Sequence, residues 1–290
     1  MNDYLILGSN GLLGSSVSPI LSQHHDSVIL HTRLGSGNLN ADLSSTLEVD
    51  NLFANSSPKI ILNLAALADV DMCEDPNLAY LGNVKPLENI VNSIKRISPS
   101  SFLINISTDH VYDNVGVSLE KDIHILNYYA FSKYSGELVV NQIKGCSLRT
   151  NFFGKSKIKE KLSFTDWLFQ KLMDGDNINV FKDVYFNPLS MNTLAKYINK
   201  ISYHKPQGVF NLGSRLGLSK AEFANIFAEE LKIPTSKIQS VNLNQVEHIK
   251  TIRPKDMRMD VGKVESLLQD KMPILVDEIK LSVEEYYSDL

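Results

Sequence analysis

Tyr4-Leu5-Ile6-Leu7-Gly8-Ser9-Asn10-Gly11-Leu12-Leu13-Gly14 is the stretch on which the fold turns. Its four leading apolar residues read as a buried strand, and the glycines open a helix whose pattern runs to about Ser22. In such a loop glycine allows a tight turn, lets backbone N–H groups approach a pyrophosphate, and permits close packing of helix on strand. The helix N-terminus adds positive partial charge. The spacing is GxxGxxG rather than GxGxxG, and alone it is no more than a glycine-rich turn. A strand before it and a helix after it point to a dinucleotide site built from Gly8, Asn10, Gly11, Leu12, Leu13 and Gly14.

Outward from this loop the chain keeps one rhythm to residue 150. Short apolar runs at 28–31, 60–64, 102–106 and 147–149 read as strands, and longer amphipathic stretches at 45–55 and 127–143 read as helices. Another helix opens at Asp75-Pro76, a cap candidate followed by proline at the first helical position. Strands alternating with helices imply right-handed βαβ units and a parallel sheet covered on both faces. The expected fold is therefore α/β, a Rossmann-type doubly wound parallel sheet over residues 1–150, with a smaller interleaved C-terminal substrate-binding lobe over 151–290. Segments at about 178–192 and 207–216 are expected to return from that lobe to the main sheet.

Composition narrows the function classes. Twenty-nine basic against 33 acidic residues, spread along the chain, leave no electrostatic footprint for nucleic acid or an anionic membrane. The two cysteines, Cys73 and Cys146, show neither a disulfide nor a zinc spacing, so no metal is expected and a reducing compartment fits. His110 likewise has no partner at ligand spacing and reads as structural. Without a signal-peptide pattern or an apolar run of membrane-spanning length, the expectation is a cytoplasmic protein.

Of the tyrosines only Tyr129 has a lysine four residues on, in the run Tyr129-Ala130-Phe131-Ser132-Lys133-Tyr134-Ser135-Gly136-Glu137. Residues four apart share one helix face, so the Lys133 ammonium can lie beside the Tyr129 hydroxyl and lower its pKa. Tyr129 then exchanges a proton with a carbonyl oxygen while hydride reaches the carbon. The fourth strand runs out into Ser107-Thr108-Asp109, where an open α/β sheet places its ligands, and Thr108 can hydrogen-bond that carbonyl. The plainer readings are an amphipathic surface pair and a turn cap. The second strand ends at Thr32-Arg33 with no carboxylate for the ribose of NAD, and an arginine there suits the 2′-phosphate of NADP; a solvated loop arginine is the alternative.

Taken together, Gly8–Gly14, the run Asn63-Leu64-Ala65-Ala66-Leu67-Ala68-Asp69-Val70-Asp71 with Cys73-Glu74, the run Ser107-Thr108-Asp109-His110-Val111-Tyr112-Asp113, the Tyr129/Lys133 pair, Leu148-Arg149-Thr150 and Arg253-Pro254 resemble the dTDP-4-dehydrorhamnose reductase family of extended short-chain dehydrogenases. The resemblance covers nearly the whole chain. It implies that Tyr129 is the proton donor, Lys133 its activator and ribose ligand, and Thr108 with Asp109 a substrate-side pair. It further implies that Gly11, Leu12 and Leu13 touch the pyrophosphate, Thr32 and Arg33 border the adenosine ribose, Asp42 and Leu43 meet the adenine, and Ala65, Ala66 and Leu67 line the cofactor's middle. Phe152 and Arg253 fall on the substrate side. The chain departs from the family at Ala130, where glycine is usual, at Ile125–Tyr128, which lacks the usual proline, and at Asn151-Phe152-Phe153, where a tryptophan is usual.

The expected activity is reduction of the 4-keto group of a dTDP-linked 6-deoxysugar, with NADP(H) favoured and NAD(H) possible, in polysaccharide biosynthesis. Its partner is a nucleotide sugar, and a homodimer is compatible with the sequence. A reductase or epimerase of another nucleotide sugar is the nearest rival, because the fold and the Tyr/Lys pair do not define the sugar. A cofactor-binding regulatory subunit without catalysis is the rival from another class. Lys155, Lys157, Lys159 and Lys161 can either meet a nucleotide diphosphate or form a solvated face.

Overall fold

A computed structural model describes residues 2–35, 37–246 and 250–289. Strand β1 (Asn2–Leu7) leads through the glycine loop into α1 (Leu12–His24), followed by β2 (Val28–Thr32), β3 (Leu39–Asn40), α2 (Thr46–Ser56) and β4 (Pro58–Asn63). After α3 (Pro76–Ala79) the chain takes a π-helical turn over Tyr80–Val84 and continues as α4 (Lys85–Ile97), β5 (Phe102–Thr108), α5 (Tyr128–Val140) and β6 (Gly145–Thr150). The lobe that follows holds β7 (Phe152–Phe153), α6 (Phe164–Met173), β8 (Ile178–Phe181), β9 (Tyr185–Phe186) and β10 (Leu189–Ser190). It continues with α7 (Met191–His204), β11 (Gly208–Asn211), β12 (Leu218–Ser219), α8 (Lys220–Glu230), β13 (Ile238–Val241), α9 (Gly262–Leu268) and α10 (Leu275–Val283).

Seven strands form the main sheet in the order β11-β6-β5-β4-β1-β2-β3, every pair parallel. Successive residues of β1 point to opposite faces. Tyr4 and Ile6 pack with Val17, Leu21, Leu194 and Ile198 on the α1/α7 face, whereas Leu5 and Leu7 pack with Val49, Phe53, Ile90 and Val140 on the α2/α4/α5 face. Both faces are thus apolar, the condition for an all-parallel sheet. The strand order reverses between β1 and β4, so a crevice opens beyond their carboxyl ends.

Residues 208–211 are the edge strand of this sheet, paired with β6. The stretch 178–192 does not return to it, contrary to the sequence expectation: β8 pairs with β13, β9 with β12 and β10 with β7, each in a two-stranded ribbon. The reason is a separate core. Phe153, Leu168, Val180, Phe186, Phe223, Phe227 and Tyr286 form an aromatic-rich cluster that holds these short strands against α6, α8 and α10. Among the described residues no helix is long and apolar enough to cross a membrane.

Candidate active site

The glycine loop lies at the strand-order reversal. Gly8 has φ of +79°, a conformation open to glycine, and a Cβ there would lie 2.9 Å from the Ala65 nitrogen. A Cβ on Gly14 would collide with the Gly8 carbonyl oxygen, so each glycine is required by a backbone contact. Helix α1 has Gly11 at its N-cap, no capping side chain and no acid in its first turn. Its leading N–H groups are therefore available to an anion at the positive end of the helix. Opposite stands the loop Ala65-Ala66-Leu67, tied down by Asn83, whose Oδ1 accepts from Leu67 N–H (2.8 Å) and whose Nδ2 donates to Leu67 O (3.0 Å). Asn83 Nδ2 also donates to Ser132 Oγ on α5 (2.9 Å). The cradle fits a dinucleotide pyrophosphate.

At the adenosine end Arg33 pairs with Asp42 at 3.2 Å on an exposed rim. Hydrogen bonds from Ser44, with Arg33 adding, hold the Asp42 carboxyl below its usual range. Thr32 is buried and donates to Asn40 Oδ1 (2.8 Å). Leu43 is part of the α2-side core, with its carbonyl engaged by Asn89, so its side chain faces inward.

The chemistry collects at the ends of β5 and α5. Asn127 caps α5 through Ala130 N–H and fixes the start of the helix that carries Tyr129 and Lys133. The Thr108 side chain lies close enough to Tyr129 to act on its hydroxyl. Burial, opposed by Thr108, raises Tyr129 to about 12. This corrects the sequence expectation of a lowered tyrosine. The Lys133 ammonium, 6% exposed, donates to Ile106 O at 2.7 Å, and burial brings it down to about 8 with Glu137 opposing. Desolvation is the largest influence on Tyr129.

Asp109 is buried, accepts from Asn151 Nδ2 (2.8 Å) and Thr108 Oγ1 (3.4 Å), and is raised by burial to about 7. His110 stacks edge-on against Tyr129 with centroids 5.4 Å apart and is held neutral, near 3, by burial and the charges of Lys220 and Arg253. Phe152 is half-buried beside Asn151. Arg253 donates to Asp71 at 2.9 Å, and its Nη1 is buried without a partner.

The structure thus brings Gly8–Gly14, Ala65–Leu67, Thr108, Asp109, Tyr129 and Lys133 to one end of the sheet and leaves Arg33 and Asp42 at the far rim. Sequence reasoning missed Asn83, Asn151 and Lys220. It also assigned no role to the buried set Arg149, Glu137 and Tyr112. Gly82-Asn83 inside a helical stretch was the one available signal, since a helix-interior glycine calls for a packing reason: a Cβ there would strike Leu67 Cβ at 2.6 Å.

Three comparisons bear on this geometry. The family model described as RmlD substrate binding domain matches residues 1–288. A curated protein of Haloferax volcanii, described as a probable low-salt glycan biosynthesis reductase, is 26% identical over 298 residues, covering 98% of each chain. Among solved structures, a hypothetical dTDP-4-dehydrorhamnose reductase from Sulfolobus tokodaii superposes with TM-score 0.84 at 28% identity, covering 95% of this chain and 98% of the other. The dTDP-4-dehydrorhamnose reductase of Bacillus anthracis in complex with NADP gives 0.87 at 22% identity, covering 98% and 100%, and supports the fold.

Proposed function

The chain belongs to the RmlD substrate binding domain family, and we propose that it reduces the 4-keto group of a dTDP-linked 6-deoxysugar with a nicotinamide cofactor, in polysaccharide biosynthesis. The observation that carries this reading is the convergence of the Thr108 and Tyr129 side chains at the carboxyl end of β5, with Lys133 buried on the same helix and donating to Ile106 O. Two hydroxyls brought to the same strand end give one carbonyl oxygen two donors to accept from.

A bound nicotinamide supplies hydride to the carbonyl carbon. Thr108 orients the carbonyl and Tyr129 delivers the proton to its oxygen, the oxygen that becomes the product hydroxyl. At a raised pKa Tyr129 holds its proton at neutral pH, as an acid in the reductive direction requires. The Lys133 ammonium favours the tyrosinate left behind. The uncapped α1 N-terminus and the glycine cradle hold the pyrophosphate. Arg33 favours NADP(H) over NAD(H), because its guanidinium matches a 2′-phosphate.

The test is oxidation of NADPH, and separately NADH, on mixing the protein with dTDP-4-dehydro-6-deoxy-L-mannose, with Tyr129→Phe alongside. Oxidation by the wild type alone supports the reading, and one reduced nucleotide consumed per turnover separates a reductase from an epimerase. Nucleotide binding without turnover favours another sugar or a regulatory role.

A further inference from the structure

Lys220 opens α8, with its side chain directed at Phe164 and Phe186. Its backbone N–H donates to Val184 O at 2.9 Å, which fixes the root of the side chain. The ammonium lies over the rings of Phe164 at 5.6 Å and Phe186 at 5.9 Å, and among the described residues no oxygen accepts a hydrogen bond from it. Two more unpaired nitrogens belong to the same group: Arg253 Nη1 and His110 Nδ1 are both buried without a partner. Lys220 and Arg253 act electrostatically on one another and on His110, and Lys220 acts on Asp109, so these side chains form one neighbourhood around the end of β5.

The hydrogen bonds of this neighbourhood are unevenly met. Asp71 is paired to Arg253, and Asp109 is engaged by Asn151 and Thr108. Burial raises Asp109, with Asn151 and Lys220 opposing. Burial likewise lowers Lys220, with Asp109 opposing, and its ammonium is left with aromatic faces and, among the described residues, no hydrogen-bond acceptor. Ring faces compensate an ammonium's lost hydration only in part, and unmade hydrogen bonds of a half-buried charge are costly. A negatively charged oxygen would supply both charge and acceptor.

We propose that Lys220, with Arg253 Nη1 beside it, is a specificity-determining residue that holds an oxyanion of the substrate. This rests on the nucleotide-sugar reading of the site. The shared chemistry is an anionic oxygen, which comes either from the phosphate attached to the sugar or from a carboxylate on the sugar ring. Lys220 positions the substrate and takes no part in proton or hydride transfer, so its loss acts on substrate affinity and leaves the cofactor bound as before.

The experiment is calorimetric titration of NADP-loaded protein with the nucleoside diphosphate, its glucose conjugate and its glucuronate conjugate, in both the thymidine and uridine series. Wild type is compared with Lys220→Met and Lys220→Arg. Lys220→Met keeps an apolar stem between the rings, so its melting temperature stays within about 2 °C of wild type, a check on folding. Loss of one charge-assisted hydrogen bond weakens binding of the anion by about 10- to 100-fold in Lys220→Met, and Lys220→Arg restores most of it. A loss shared by all three ligands assigns the oxyanion to the phosphate, and a loss confined to the glucuronate assigns it to the sugar carboxylate. Equal affinities in wild type and Lys220→Met overturn the proposal and make the ammonium a solvated amine. A wild type that binds none of the ligands removes the nucleotide-sugar reading, and this inference with it.

Discussion

Arg149 and Glu137 form a bidentate ion pair, Nε to Oε1 at 2.9 Å and Nη2 to Oε2 at 2.6 Å, with both side chains at most 2% exposed. Glu137 stands one helical turn past Lys133, and its Oε1 also accepts from Ser107 Oγ on β5. Arg149 Nη1 donates to the Tyr112 hydroxyl (2.6 Å) and to Glu120 O (2.7 Å). The pair therefore fastens α5, the helix of Tyr129 and Lys133, to β5, to β6 and to the loop after Thr108. Two charges this deep are tolerated because every nitrogen of Arg149 and both oxygens of Glu137 have a partner.

Glu137→Ala strands the Arg149 guanidinium in the core. The expected destabilisation is about 3–5 kcal/mol, while the double replacement Glu137→Leu/Arg149→Met loses much less because no unpaired charge remains. Urea unfolding of the three proteins measures this. Equal losses in the single and double variants would mean that the pair's burial is not what makes the site costly to break.

Tyr129→Phe removes the hydroxyl proposed to give the proton, with little change in packing. Turnover should fall by about 10²- to 10⁴-fold, the usual contribution of a positioned acid. Cofactor affinity should stay within about threefold, since a lost ring hydroxyl is not a lost phosphate contact. Steady-state kinetics with calorimetry decides the point: retained turnover would move the proton donor elsewhere.

Arg33 is expected to read the cofactor's 2′-phosphate. Its guanidinium is mostly exposed and, among the described residues, paired with Asp42 alone, so it can swing to a ligand at small cost. Arg33→Ala should raise KM for NADPH by about tenfold, the effect of one lost charge-assisted bond, and alter KM for NADH by less than about twofold. Parallel KM measurements test this, and an equal rise for both cofactors would identify Arg33 as a general rim contact instead.

Much of this architecture is legible in the sequence because it is local. Apolar runs separated by capped helices fix the strands, and a strand-glycine-helix junction states its own purpose, since Gly8 and Gly14 have no room for a Cβ. The Tyr129/Lys133 spacing is legible for the same reason, being a property of one helix. What the sequence hides depends on chains meeting from afar. Asn83 faces Leu67 and Ser132 only because a π-helical turn over Tyr80–Val84 rotates it there. Lys220 reaches the site from a helix more than a hundred residues past Thr108, and no spacing rule links them. The direction of the Tyr129 shift is hidden because a sequence shows a lysine one turn on but not the burial that raises the tyrosine. The stretch 178–192 looked like sheet because apolar periodicity cannot say which sheet a strand joins.

Asp109 links pH to stability. Its folded pKa of about 7 lies above the ordinary 3.8, so the folded protein binds the proton more tightly than the unfolded chain does. The stabilisation from that proton is complete below about pH 3.8 and is lost as the pH rises through about 7. Asp109→Asn keeps an acceptor for Asn151 Nδ2 and carries no charge at any pH. Against wild type, the variant should therefore gain stability as the pH climbs from about 4.5 to 8, by roughly 1–4 kcal/mol. Taking the difference cancels the opposing trend from carboxylates such as Asp42 and Asp50, whose lowered pKa values favour the folded state as the pH rises. Urea midpoints of both proteins at the two pH values supply the number. A difference that stays flat would show that Asp109 titrates in the folded protein as it does in the unfolded chain, and that its burial carries no charge penalty.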